Sequence, residues 1–108
     1  MDTKCALAAF AALSQETRLA ALRLLVLHGR SGMAAGLLAS ALEVPHNTLS
    51  FHLSHLQQAG LVQSVRRGRH IVYAADLEAV RALSGFLMEN CCKLENSADA
   101  TIGGSCPC

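Results

Sequence analysis

The stretch HNTLSFHLSHLQQAGLVQSVRRGRHIVYAA, residues 46–75, changes its hydrophobic period halfway along, and that change decides the fold. From His46 to Ala59, Leu49, Leu53 and Leu56 recur at the spacing of one face of a helix, and Gly60 closes it. Beyond the glycine, Leu61–Val65 and Ile71–Ala74 are rich in β-branched residues and roughly alternate. Arg66-Arg67-Gly68-Arg69-His70 separates them, which reads as a β-hairpin with a basic tip.

Upstream, Met33–Leu42 reads as a short helix and Glu43-Val44-Pro45 as a turn, so two helices joined through a proline form a helix-turn-helix pattern. Farther out, Thr3–Leu13 is an Ala-rich helix. Ser14 then stands as N-cap of a helix carrying Leu19, Leu22, Leu25 and Val26, which His28–Gly32 stops. On the other side Asp76 opens a last helix with Leu77, Val80, Leu83, Leu87 and Met88 on one side, reaching Cys91 or Cys92. Glu95–Cys108 is polar, without periodicity, and is expected to be mobile until a ligand orders it. The expected fold is mainly α with a β-hairpin wing, a winged helix-turn-helix. Residues 1–92 form one domain and 93–108 a cysteine-containing tail.

Composition sets bounds on this reading. A chain of 108 residues holds one domain, and a hydrophobic fraction of 52% dominated by Ala and Leu favours helices. The net charge of +1 is too small for bulk attraction to nucleic acid, so any such contact rests on locally placed arginines. No signal peptide is visible, and Arg23 and His28 interrupt the apolar stretch from Leu19 to Leu27, so no segment suits a bilayer. The expectation is a cytoplasmic protein without a membrane partner, whose cysteines are thiols available for metal or redox chemistry.

A helix followed by a basic hairpin divides the labour of binding double-stranded DNA: the helix enters the major groove, the hairpin touches phosphate or the minor groove. On a wheel centred on the three leucines, Asn47, Ser50, Phe51, Ser54, His55 and Gln58 point outward, with Thr48 and His52 on the flanks. No Lys, Arg, Asp or Glu occurs from His46 to Gln58, so attraction falls to Arg66, Arg67 and Arg69, repeated in each subunit. An outward polar helix face can also be the solvated face of an ordinary bundle, and basic turns are often just solvated; in this order the two signals are much more specific.

Three segments carry a family resemblance: Ala12-Leu13-Ser14-Gln15-Glu16-Thr17-Arg18-Leu19, Thr48-Leu49-Ser50-Phe51-His52-Leu53-Ser54-His55-Leu56, and Ala59-Gly60-Leu61-Val62. With the Arg-Arg-Gly-Arg-His wing ending in Tyr73, the chain from Ala9 to Cys92 resembles the ArsR/SmtB family of metal-responsive repressors. The resemblance implies a homodimer joined through the first and last helices, operator binding without ligand, and release on binding an inducer. Phe51 departs from the pattern, since the family often has Arg there; a phenyl ring contacts a thymine methyl but not a phosphate or guanine.

Two family sites are missing. The Cys-Val-Cys pair of arsenic sensors would fall at Met33–Leu37, which has no cysteine. The last-helix site of zinc sensors keeps only Asp76, because no His follows His70. What remains is Cys91-Cys92, with Cys106-Pro107-Cys108 at the terminus and Cys5 near the start. On a helix, Cys91 and Cys92 would point about 100° apart, enough to flank one small centre but not to complete it. Cys106 is the expected third thiolate, with Cys108 as substitute; Cys5 is a bystander or reaches the partner subunit. Three soft thiolates suit As(III) or Sb(III) as inducer, with no organic cofactor, whereas Zn(II) usually takes a fourth ligand. The Cys-Cys pair also resembles the relocated arsenite site of some family members. An oxidative signal through a disulfide between the pair and the tail is the alternative. A thiol enzyme is not expected, since no Cys-x-x-Cys occurs and no base is arranged to activate a nucleophile.

Overall fold

The computed structural model describes residues 1–95, as five α-helices and a three-stranded antiparallel sheet. In chain order these are α1 (Thr3–Leu13), α2 (Glu16–His28), β1 (Met33–Ala34), α3 (Ala35–Leu42), α4 (His46–Gln58), β2 (Val62–Arg67), β3 (His70–Ala75) and α5 (Leu77–Met88). A single 3₁₀ turn, Gly29–Ser31, follows α2.

Leu25, Leu38, Leu49, Leu53, Leu56 and Leu61 are the largest fully buried side chains, and they meet where α2, α3, α4 and the sheet converge. Each such leucine contributes about 1.5–3 kcal/mol of burial relative to exposure. Small residues do the same for α1: Ala6, Ala9 and Ala12 are buried and bring that helix close to its neighbours. This is the winged helix-turn-helix expected from the sequence, with α3 and α4 as the helix pair and β2–β3 as the wing.

The local starts and stops differ in three places. Ser14 does not cap α2; its hydroxyl donates to the Ala11 carbonyl at 2.9 Å and closes α1. With only two residues between the helices, Gln15 takes the extended N-cap conformation and its side-chain oxygen accepts from the Arg18 N–H.

Met33 and Ala34 do not begin α3. They form a short strand paired with β3, Met33 opposite Tyr73 and Ala34 opposite Val72. Gly32 makes this possible: its φ is +66° and a Cβ there would collide with the Tyr73 carbonyl. Pairing on the sheet edge satisfies backbone groups that a helix N-terminus would leave open.

The last helix stops at Met88, short of the cysteines. Glu89 turns to ψ 131° and Asn90 to φ +62°, which ends the helical hydrogen-bond ladder. The chain then runs through successive reverse turns, in which Cys91 N–H donates to the Met88 carbonyl and Lys93 N–H to that of Asn90. Of the apolar residues expected on one side of α5, Leu83 is buried, but Leu87 and Met88 are 65% and 62% exposed. Among the described residues, no helix is long and apolar enough to cross a membrane.

Candidate nucleic-acid interface

The recognition candidate α4 is fixed from beneath by Leu49, Leu53 and Leu56, each at most 1% exposed. That anchoring leaves Asn47, Thr48, Ser50, Phe51, Ser54 and Gln58 exposed, while His52 and His55 are half-buried. Phe51 stands in the middle of the outward face, 59% exposed, with its ring edge-on to His55 at 4.7 Å and to His52 at 5.6 Å. An exposed phenyl braced by two imidazoles is a shaped apolar contact for a base edge.

Not every outward polar group is equally available. The Ser54 hydroxyl donates to the Phe51 carbonyl at 2.7 Å, so its proton is committed to the helix while its lone pairs still face outward. His52 is turned towards α2, where the Arg18 guanidinium donates to its Nδ1 at 3.2 Å. Accepting that bond requires the neutral ring. Burial, the Arg18 charge and His55 together hold the His52 pKa below the ordinary imidazole value.

The wing is a two-residue hairpin. Arg67 pairs with His70, leaving Gly68 and Arg69 as the turn, with Gly68 at φ +63° as the first central position of a type II′ turn requires. Arg69 therefore sits at the tip, whereas Arg66 and Arg67 belong to β2 and point to opposite faces of the ribbon. Ser64 shares a face with Arg66, and its hydroxyl accepts from the Gln57 side-chain amide at 2.9 Å. That bond ties α4 to the wing and puts Arg66 on the α4 side. All three arginines are exposed.

Two residues to which the sequence assigned no role at the interface contribute to this surface. Gln57 bonds the helix to the wing, and Arg18 links α4 to the end of α1 through a second bond, from its Nε to the Ala12 carbonyl at 2.6 Å. Neither had a periodicity signal; the pairing of Arg18 with a residue 34 positions away exists only in the folded chain.

The cysteine site is described in part. Cys91 and Cys92 are exposed and lie in the turn beyond α5, not on the helix, and Cys92 has φ +62°. That turn draws their sulfurs to 3.3 Å instead of fanning them about a helix axis. The Cys91 thiol first, then Glu95 and slight desolvation, raise the Cys92 pKa above its ordinary value. Cys106 and Cys108 lie outside the described residues. Among the described residues no group of three or more His, Cys, Asp or Glu side chains is placed to hold a metal ion. Cys5 is exposed on α1, where Asp2 caps its backbone and raises its thiol pKa.

A helix-turn-helix domain family matches residues 13–65 of the sequence. No significant match was found among curated protein sequences. An ArsR-like transcriptional regulator from Rhodococcus sp. RHA1 is 35% identical, with 85% of this chain and 84% of that one covered, at a TM-score of 0.72. NolR from Sinorhizobium fredii is 30% identical over 80% of this chain and 83% of its own, with a TM-score of 0.63. The homodimeric winged helix-turn-helix DNA-binding domain of Mb0332 from Mycobacterium bovis shares the fold at 24% identity. It covers 91% of this chain and 89% of its own, at a TM-score of 0.66.

Proposed function

Because the chain belongs to the ArsR family of winged helix-turn-helix transcriptional regulators, DNA-binding proteins and not enzymes, we propose that it is a cytoplasmic homodimeric repressor. As(III) or Sb(III), bound through C-terminal thiolates, releases it from double-stranded operator DNA. On this reading α4 enters the major groove through Asn47, Ser50, Phe51, Ser54 and Gln58, with Arg66, Arg67 and Arg69 on the backbone. The exposed Leu87 and Met88 of α5, beside α1, supply the apolar surface that a second copy covers.

The observation that carries the inducer assignment is the convergence of the Cys91 and Cys92 sulfurs to 3.3 Å. An ion about 2.3 Å from each sulfur would see them at an angle of about 92°. That is near the right angle of a pyramidal ion with a lone pair and well short of the tetrahedral angle of Zn(II). The raised pKa of Cys92 also disfavours a thiolate poised for peroxide, whereas a thiophilic ion displaces the proton as it binds. Cys106 or Cys108 would complete the set, drawing the tail onto the end of α5. The shift that follows at the dimer interface changes the spacing of the two recognition helices.

Fluorescence anisotropy of operator DNA with the reduced full-length protein tests this, adding As(III), Sb(III), Zn(II) and Cd(II) separately. Release by As(III) or Sb(III) alone is expected, with affinity falling about 5–150-fold. Cys91→Ser or Cys92→Ser abolishes that release and leaves ligand-free DNA affinity unchanged. Release that persists in both variants, or that only Zn(II) or Cd(II) produces, overturns the assignment.

A further inference from the structure

On the flank of α4 facing α1 there is a cleft of about 430 Å³. Ala8 and Ala11 of α1 and Ala59 form its apolar walls, and Arg18, His55 and Gln58 are its polar groups. Among the described residues no carboxylate lines it. Arg18 is half-buried, and its two partners, the Ala12 carbonyl and the His52 ring, are both neutral. A guanidinium has five N–H donors. Two are used in these bonds, which leaves three without a partner among the described residues. An uncompensated cation beside two further donor side chains and methyl walls is a receptor for an anion, strengthened by the low polarity of its surroundings.

Its position says which anion. His55 and Gln58 are three residues apart and share one face of α4, and with Ala59 they line its side turned towards α1. Gln57, on the other flank, is bonded to Ser64 of the wing. A helix lying in a major groove about 12 Å wide has a phosphate strand on each side. The wing arginines serve one side, and α4 has no charged residue of its own for the other. We infer that the cleft of Arg18, His55 and Gln58 holds a backbone phosphodiester of the operator, on the side of the recognition helix away from the wing. Arg18 thereby grips the phosphate while its bonds to Ala12 and His52 keep α4 in register with α1.

The inference rests on the DNA-binding reading, and the two fail differently. Operator and unrelated duplexes are titrated with full-length protein by fluorescence anisotropy over a range of salt concentrations, for the wild type, Arg18→Met and Ala11→Gln. Ala11 is exposed, so the neutral glutamine fills the cleft without disturbing the core; thermal melts check folding, and sedimentation checks that both variants keep the wild-type oligomeric state, since α1 is an expected part of the dimer seam. One phosphate lost per protomer lowers the slope of log affinity against log salt by about 1.8 per dimer. That drop is expected in both variants and equally on both duplexes. A folded Ala11→Gln protein with the wild-type slope overturns the inference. Inorganic phosphate at constant ionic strength forms a second arm: if it raises the wild-type melting temperature while neither variant changes the salt slope, the cleft takes a free anion and the backbone assignment is overturned. Failure of the wild type to bind any duplex removes the DNA reading itself, and this inference with it.

Discussion

Helices α4 and α5 are nearly equal in length, thirteen and twelve residues, yet they stand in the molecule differently. α4 buries Leu49, Leu53 and Leu56 completely and is held on one flank by Arg18 and on the other by Ser64. α5 buries only Leu83, exposes Leu87 and Met88, and ends in a turn that presents two cysteines. The surface that reads DNA is thus finished within one chain. The face of α5 is not: it leaves Leu87 and Met88 uncovered, and among the described residues no group of three or more His, Cys, Asp or Glu side chains is placed to hold a metal ion. α5 thus buries little of its own surface within one chain, and α1 contacts both α5 and α4.

The sharpest way to break this comparison is to remove one leucine from each helix. Leu53→Ala leaves a cavity beneath α4 and is expected to cost about 2–5 kcal/mol, read as a shift of the urea midpoint. Leu87→Ser on α5 is expected to move that midpoint little at fixed oligomeric state, and instead to weaken self-association in sedimentation. If both variants lose the same stability and neither changes association, the two helices do not differ as described.

A smaller effect is expected at the root of the sheet. Gly32→Ala forces a Cβ against the Tyr73 carbonyl at a positive φ, with an expected loss of about 1–3 kcal/mol. Because β1 hangs on β3 at this point, amide exchange should accelerate at Met33 and Ala34 before it does in α4. Uniform acceleration would mean that the sheet edge and the recognition helix open as one unit.

How legible each part was in the sequence follows the same division. α4 and the hairpin could be read because a 3.6-residue period gives way to alternation at a glycine, and Leu49, Leu53 and Leu56 state the buried face outright. β1 could not, because two residues carry no period and their partner lies some forty residues on, at Val72 and Tyr73. Arg18 was hidden for a similar reason: on α2 it looks like a solvated charge, and only folding sets it against Ala12 and His52. The end of α5 did carry a signal. Asn90 is a residue type that tolerates left-handed φ and often follows a helix C-terminus, and weighing it would have placed Cys91 and Cys92 in a turn. The third thiolate expected at Cys106 or Cys108 falls outside the described residues.

The smallest effect, and the one that probes the buried flank of α4 most directly, is the pH dependence contributed by His52. Its folded-state pKa lies below the ordinary value of 6.5, chiefly through desolvation and then through Arg18. Above 6.5 both the folded and unfolded states hold the ring neutral, and its contribution to stability is complete. As the pH falls through 6.5 the unfolded chain takes up the proton first, so stability declines until the folded-state pKa is reached. A protonated ring can no longer accept from the Arg18 guanidinium, so the tie between α2 and α4 itself is lost only as the pH falls through that lower folded-state pKa. His52→Asn keeps an acceptor for Arg18 and removes the titration. Melting temperatures measured from about pH 7.5 down to about pH 5.5 should therefore fall less steeply in His52→Asn than in the wild type. Parallel curves would mean that the ring titrates as if free, and that the flank of α4 facing α2 is as loosely held as the end of α5.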